Sequence, residues 1–325
     1  MKKFSILLAA IAVFGAVELS AQTVNEVNTK YNEAVALIQN KNYAGAIPVL
    51  EQAVEMGLNA GADAASTVTA AQKLLPTCYF QNGLNLCKTG NFDNALASLD
   101  KAVMYSQLFQ DFKTEANARK LISQTYTFMG AKAFNEKDWA KAIEIFSKGY
   151  ESNPKDTDLA LYLAESYAAS GDYENGLKVY RDVMALEQQH SRYAEPAAQA
   201  KEKYVYYQLL RASEAASESD KEGVYAAIDE LLTVDPTNAQ AQLLRIQTAT
   251  NAQDWANVIA WGEAAAEAQT DADVQSDIYY MLGAAYQNTE NKEAALATYA
   301  KVTSGNSVAA AKTQVDILTK PAPAK

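Results

Sequence analysis

Side chains able to do chemistry are few in this chain, and their spacing does not assemble a reactive centre. His190 is its single histidine, so any Ser-His-Asp or Cys-His nucleophile arrangement would have to be built on it. It stands in Gln188-Gln189-His190-Ser191-Arg192, which reads as a polar turn between two long helices. Cys78 and Cys87 fall in one predicted helix, where 1.5 Å and 100° per residue put them about 13 Å apart on opposite faces. That is too far for a disulfide. With no histidine nearby they make a poor metal site and read instead as small core residues. Carboxylates are scattered, and the denser run Glu214, Glu218, Asp220 and Glu222 surrounds a predicted turn where solvent reaches all four. A phosphate-binding Gly-rich loop, an HExxH helix and an EF-hand loop are all missing. The residues therefore predict no enzyme, no catalytic residue, no cofactor and no metal.

Bulk composition describes a folded, acidic, helical protein. The 325 residues carry a net charge of −11 and are 49% hydrophobic, a normal core supply. Only 14 Gly and 7 Pro punctuate the chain, and no long β-branched alternation appears, so long helices with short turns are expected. Nucleic-acid binding needs clustered Lys and Arg to displace counterions, and no such cluster exists. At the N-terminus Lys2 and Lys3 precede an apolar stretch, Phe4 to Val17, and small Ala21. These predict a secretory signal over residues 1–21, too short in apolar length to span a membrane. Removing it takes away Lys2, Lys3 and Glu18 and moves the charge to −12.

A phrase recurs through the rest: a polar or Gly turn, an aromatic, Ala or Gly three residues later, then apolar residues at helical spacing. It is read at Tyr43, Phe92, Trp139 and Tyr173, more weakly at Trp255 and Lys292, and at Lys221 only through Asp235-Pro236 behind it. Nine positions upstream a small residue recurs as Ala34, Gly83, Gly130, Ala164, Ala212 and Gly283, with Ile246 the exception. Two antiparallel helices approach closely only where crossing side chains are small, so Gly83 is expected to face Ala95, Gly130 to face Ala142 and Gly283 to face Ala295. One hairpin cannot bury its apolar faces alone, and stacking supplies the core.

The pattern resembles the tetratricopeptide repeat. Tyr279, Leu282, Gly283 and Tyr286 match its first-helix signature, and Ala295, Tyr299 and Val302 its second. The Trp139 unit adds Tyr126, Gly130, Ala142, Phe146, Gly149 and Pro154. The resemblance implies an all-α right-handed solenoid of about seven helix hairpins over 22–304, a capping helix over 305–318 and a disordered tail over 319–325. The turn anchors, Tyr43 through Lys292, are spaced 49, 47, 34, 48, 34 and 37 residues apart, against a family period of about 34. Three hairpins are thus expected to be lengthened, through the helices ending before Phe92, Trp139 and Lys221, with Pro76 kinking the first of them.

In that family the first helices line a groove that takes extended peptides. Carried over by position, the partner-binding candidates are Tyr31, Val35, Phe80, Leu84, Thr127, Leu161, Glu165, Leu209, Leu243, Gln247 and Tyr280. The Lys and Asn clamp with which some members hold chaperone C-termini is not matched in the first two units. Together the repeat, the leader and the lack of catalytic groups imply a non-catalytic scaffold for a protein or peptide partner. Its expected place is the envelope of a Gram-negative bacterium, periplasmic or outer-membrane-associated. The alternative is a module that captures glycans or peptides with its groove Tyr and Phe.

Overall fold

The computed structural model describes residues 21–320, so most of the predicted signal and the end of the tail lie outside the described residues. Those described form α-helices with short 3-10 turns and no strand. They fall into hairpins: α1 (Ala21–Gln39) with α2 (Tyr43–Ala60), α3 (Ala65–Lys88) with α4 (Phe92–Phe109), and α5 (Phe112–Asn135) with α6 (Trp139–Ser152). Next come α7 (Thr157–Ala169) with α8 (Tyr173–Ala185), α9 (Ala194–Ser217) with α10 (Lys221–Val234), α11 (Ala239–Asn251) with α12 (Trp255–Glu267), and α13 (Ala272–Asn288) with α14 (Lys292–Tyr299). A last helix, α15 (Ser307–Thr319), packs on α13 and α14, as expected of a cap. The chain divides into two compact units, Met1–Ser166 and Tyr167–Lys325.

Each hairpin turns in the same way. Two residues before the start of every second helix the backbone is left-handed, at Lys41, Gly90, Lys137, Gly171, Ser219, Gln253 and Glu290. Asn or Asp follows as the N-cap: Asn42, Asn91, Asp138, Asp172, Asp220, Asp254 and Asn291. Its N–H donates to the carbonyl five residues back, at 2.8 to 3.0 Å in all seven. This joins a Schellman closure of the first helix to an Asx cap on the second in six of the seven turns, all but Asn91, whose side chain accepts no backbone N–H. The copies at Lys221, Trp255 and Lys292 differ in side chain and not in turn. Only two of the left-handed positions are Gly, and a non-Gly residue there costs about 1 kcal/mol. Gln253→Gly is therefore expected to raise stability by about 0.5–1 kcal/mol in chemical denaturation, and no gain would contradict this origin of the turn.

The three lengthened first helices are α3, α5 and α9, each of 24 residues, against 13 in α7 and α11. In the first two cases the preceding second helix is long too, 18 residues in α2 and α4. In the third it is not: α8 has 13 residues, and the excess goes into two 3-10 turns around His190, whose extended backbone separates them. Helix α3 runs through Pro76 without interruption, and Cys78 and Cys87 on it are free.

Crossing points are small, as expected, with one correction. Ala34, Ala164, Ala212 and Ile246 are fully buried, as are Ala46, Ala95, Ala142, Val224, Val258 and Ala295 opposite. The glycines, however, are held against the residue one turn beyond the expected alanine. A Cβ on Gly130 would lie 2.2 Å from Phe146 Cε1, on Gly283 2.7 Å from Tyr299 Cδ1, and on Gly83 2.7 Å from Leu99 Cγ. At Gly83 the expected partner is close as well, through the Ala95 carbonyl at 3.2 Å. The larger side chain lies directly over the glycine, which is why no Cβ fits there. In unit 1 the buried set from Ala34 to Ile122 forms one core; in unit 2 a cluster around Val224 and Ile228 is followed by one from Ile246 to Ala311.

Candidate binding surfaces

All eleven groove candidates stand on first helices. In unit 1, where α1 touches α3 and α3 touches α5, Tyr31 and Phe80 are half-buried against the core. Val35, Leu84, Thr127, Leu161 and Glu165 are half-buried as well, and the Thr127 hydroxyl donates to the Ser123 carbonyl at 3.0 Å. In unit 2, Leu209 and Leu243 lean on the core, Gln247 is exposed, and Tyr280 lies 5.7 Å from the Tyr299 ring. Most of the apolar candidates thus share their area between packing and surface. Two freer apolar rings stand at separate places on α5: Phe112, 73% exposed at its start, and Phe128, 67% exposed next to Thr127 and resting on Phe92 at 5.3 Å. Position in the family pattern does not single out Phe128, because it follows Thr127 by one residue, off the face the family uses.

The other residues named for chemistry behave as surface. His190 is exposed, and its Nδ1 accepts from the Arg192 N–H at 3.0 Å. Glu214 accepts from the Tyr173 hydroxyl at 3.0 Å, Asp220 caps α10 through the Gly223 N–H at 2.9 Å, and Glu222 pairs with Lys221.

A second surface lies outside the predicted groove. Where one hairpin meets the next, three positions converge: the ninth residue of a second helix, a residue thirteen before the following second helix begins, and the tenth residue counted from the start of that helix. Between α2, α3 and α4 these are Glu51, Tyr79 and Lys101. The Tyr79 hydroxyl donates to Glu51 Oε1 at 2.6 Å, Lys101 Nζ donates to the Tyr79 oxygen at 3.1 Å, and the ammonium sits 5.1 Å over the ring. Around α12, α13 and the end of α14 they are Glu263, Tyr279 and Lys301. Here Tyr279 donates to Glu263 at 3.3 Å, Lys301 to Glu263 at 2.7 Å, and the ammonium lies 4.9 Å over the ring. Between α4, α5 and α6 the same types recur as Asp100, Tyr126 and Lys148, with Lys148 turned to Glu144 at 2.8 Å. One clasp thus ties three helices of two hairpins. The sequence signal, an acid, a tyrosine and a lysine at fixed offsets from the turn residues, appears only once the hairpins are aligned.

Between α8, α9 and α10 the charges at the same positions are reversed: Arg181, Gln208 and Glu230. Glu230 Oε2 accepts from Gln208 Nε2 at 2.7 Å, while Arg181 and Arg211 approach the same carboxylate only to 3.9 and 3.6 Å. The groove stays open as a cavity of about 590 Å³ lined by Asp172, Tyr173, Glu174, Arg181, Arg211 and Glu230.

Burial and neighbouring carboxylates hold several phenols protonated beyond their usual range. Tyr105 is pushed up to about 12 by burial and then by Glu51, Tyr173 to about 12 by burial and the Glu214 hydrogen bond, and Tyr225 to about 12 by burial and Asp254. Burial raises Tyr299 to about 12 and, with Glu51, takes Tyr79 higher still. A pKa raised on folding contributes stability that is complete below the unfolded value of 10 and is lost as pH climbs through 12. The melting temperature is therefore expected to hold steady up to about pH 10 and fall steeply above it, with tyrosinate absorbance rising together with loss of helix. Phenols that ionise before helix is lost would contradict this.

Models of the tetratricopeptide repeat match residues 133–202 and 276–304. Over these two stretches the chain carries tetratricopeptide repeats. The matched stretches hold the Trp139, Tyr173 and Lys292 turns, and the same turn hydrogen bond recurs in the segments between and before them. Solved structures similar to the chain include the C-terminal part of a TPR repeat-containing protein from Cytophaga hutchinsonii, at 15% identity over 90% of this chain and 100% of that one, TM-score 0.32. A tetratricopeptide repeat protein from Parabacteroides merdae shows 13% identity over 92% and 100%, TM-score 0.29. The TPR2AB domain of yeast Sti1, in complex with pHSP90, shows 15% identity over 90% and 97%, TM-score 0.29. No curated protein matches the chain.

Proposed function

We propose that this repeat protein is a non-catalytic scaffold that holds a partner protein or peptide on its first-helix face, in the cell envelope of a Gram-negative bacterium, as part or assembly factor of a periplasmic or outer-membrane complex. The observation that carries the reading is the exposure of Phe128 on α5, one residue after candidate Thr127 and 5.3 Å from the Phe92 ring. Phe128 with Phe92 beside it and the half-buried Thr127 and Leu84 on neighbouring first helices offer such a partner an aromatic contact. Tetratricopeptide repeats generally serve as protein-interaction scaffolds. Envelope placement rests on the leader-like residues Lys2 to Ala21, and among the described residues no helix is long and apolar enough to cross a membrane. The test is to cross-link tagged full-length protein in its own envelope and identify what is recovered. One reproducible partner is expected, lost in F128A at unchanged melting temperature; recovery of nothing reproducible would sink the reading.

A further inference from the structure

The exposed faces of α3 and α5 carry a charge opposite in sign to that of the chain. Together these helices hold six basic residues, Lys73, Lys88, Lys113, Arg119, Lys120 and Lys132, against one acid, Glu115, a net +5 within a chain of −11. Glu115 is held by Arg119 at 3.0 Å, and Lys132 lies 3.9 Å from Glu136. Lys73, Lys88, Lys113 and Lys120 are exposed, and their ammonium groups have no partner among the described residues. A solvated helix face ordinarily alternates the two signs; this one does not.

Helix geometry gathers the four lysines on one side. At 100° per residue, Lys73, Phe80, Leu84 and Lys88 fall within about 100° of one another on α3, as do Lys113, Lys120, Thr127 and Phe128 on α5, with Glu115 on the other side of the helix. The lysines therefore flank the groove candidates Phe80, Leu84 and Thr127 on two helices that touch. Lys73 and Lys120 share a register, nineteen residues before Phe92 and Trp139. That register lies on the extra turns by which α3 and α5 exceed the 13-residue first helices, so the lengthening itself supplies the charge. No two of the four are adjacent in sequence, which is why the sequence shows no basic cluster. The row stops at α7, where Asp158 and Glu165 stand at the positions that Gln124 and Ala131 hold on α5.

We propose that this face binds an acidic segment of the partner in extended conformation, its carboxylates on the lysines of α3 and α5 and an apolar side chain between them against Phe80 and Phe128. The proposal rests on the reading of the chain as a scaffold and names the chemistry of what it holds. Lys73 and Lys88 are about 22 Å apart along the helix axis, a span that an extended chain covers in about seven residues. A short acidic segment fits within the two helices. A nucleic acid or an anionic lipid surface extends past α5 onto the carboxylates of α7 and is repelled there.

The test is fluorescence anisotropy with the full chain. The probe is a labelled, amidated peptide of about ten residues, with paired Asp near each end and a central Phe; it is compared with its Asn counterpart, its Ala-for-Phe counterpart, a single-stranded oligonucleotide and phosphatidylglycerol vesicles. The Asp peptide is expected to bind with a Kd on the order of 100 μM at low salt and about tenfold more weakly at about 0.5 M salt. The Asn and Ala counterparts should both bind more weakly. K73E/K120E should cost about tenfold, whereas K141E, at an exposed site on α6, should change nothing. Equal binding of the Asp and Asn peptides, an equal loss in K141E, or tighter binding of the oligonucleotide or the vesicles would each overturn the proposal. Partner capture in the native envelope separates the two ideas. Capture kept by K73E/K120E, with no peptide binding, removes the acidic segment and leaves the scaffold standing; peptide binding without any captured partner does the reverse.

Discussion

Gly130→Ala is expected to destabilise the first unit by about 2–3 kcal/mol, although alanine is the better helix former by about 1 kcal/mol. The added methyl would stand 2.2 Å from Phe146 Cε1 and 2.6 Å from Cζ. That ring cannot move aside: it is fully buried, stacked on Tyr162 at 5.6 Å, with Phe134 at 6.2 Å. Overpacking of this kind costs about 1–3 kcal/mol or more, which outweighs the propensity gain. Two comparisons isolate the cause. Gly90→Ala meets no atom within 4 Å and bears only its left-handed backbone, so it should cost about 1 kcal/mol. Phe146→Leu, harmful alone, should recover part of the Gly130→Ala loss, and that non-additivity in denaturant midpoints is the signature of a shared contact. Simple additivity would mean the glycine is there for another reason.

The second large effect is at the first clasp. Tyr79→Phe keeps the ring of a residue that is 4% exposed and removes the hydroxyl that receives Lys101 and donates to Glu51. Glu51 then keeps only the 3.3 Å bond from Tyr105. A hydrogen bond to a charged group is worth about 1.5–3 kcal/mol; with Glu51 half-buried and water able to replace part of the bond, a loss of about 1–2 kcal/mol is expected. In a double-mutant cycle, Glu51→Gln and Tyr79→Phe should couple by about 1 kcal/mol. Tyr279→Phe should cost less, because Lys301 reaches Glu263 directly at 2.7 Å and the tyrosine bond is longer. Equal costs at the two sites, or no coupling at the first, would show that the clasp is packing alone.

Hairpin number and the three 24-residue helices are legible in the sequence because each turn leaves local marks. An Asn or Asp cap, an apolar residue or lysine after it and a small residue upstream are all needed within one hairpin, so their spacing is fixed by helix geometry. Phe146 over Gly130 is illegible for the opposite reason. Helices crossing at an angle put the closest contact one turn away from the residue that simple facing suggests, and no local signal reports a crossing angle. Likewise the excess before Lys221 reads as two longer helices joined at the polar turn around His190; the turn is there, but only α9 is long, and α8 stops at 13 residues because the rest of the excess goes into two 3-10 turns. The clasp residues Glu51, Tyr79 and Lys101 span two hairpins and 50 residues, beyond the reach of a pattern read one helix at a time. Groove candidates such as Tyr31 and Phe80 can be placed on their helices, but how much of each ring packing consumes depends on neighbours that sequence does not show.

A photo-reactive amino acid placed at Phe128, with a second variant carrying it at exposed Glu144 on α6, tests the scaffold most directly in the native envelope. One reproducible protein adduct is expected from position 128, absent or much weaker from position 144. Adducts of equal yield and composition from both positions, or none from position 128, would contradict partner binding along the first helices.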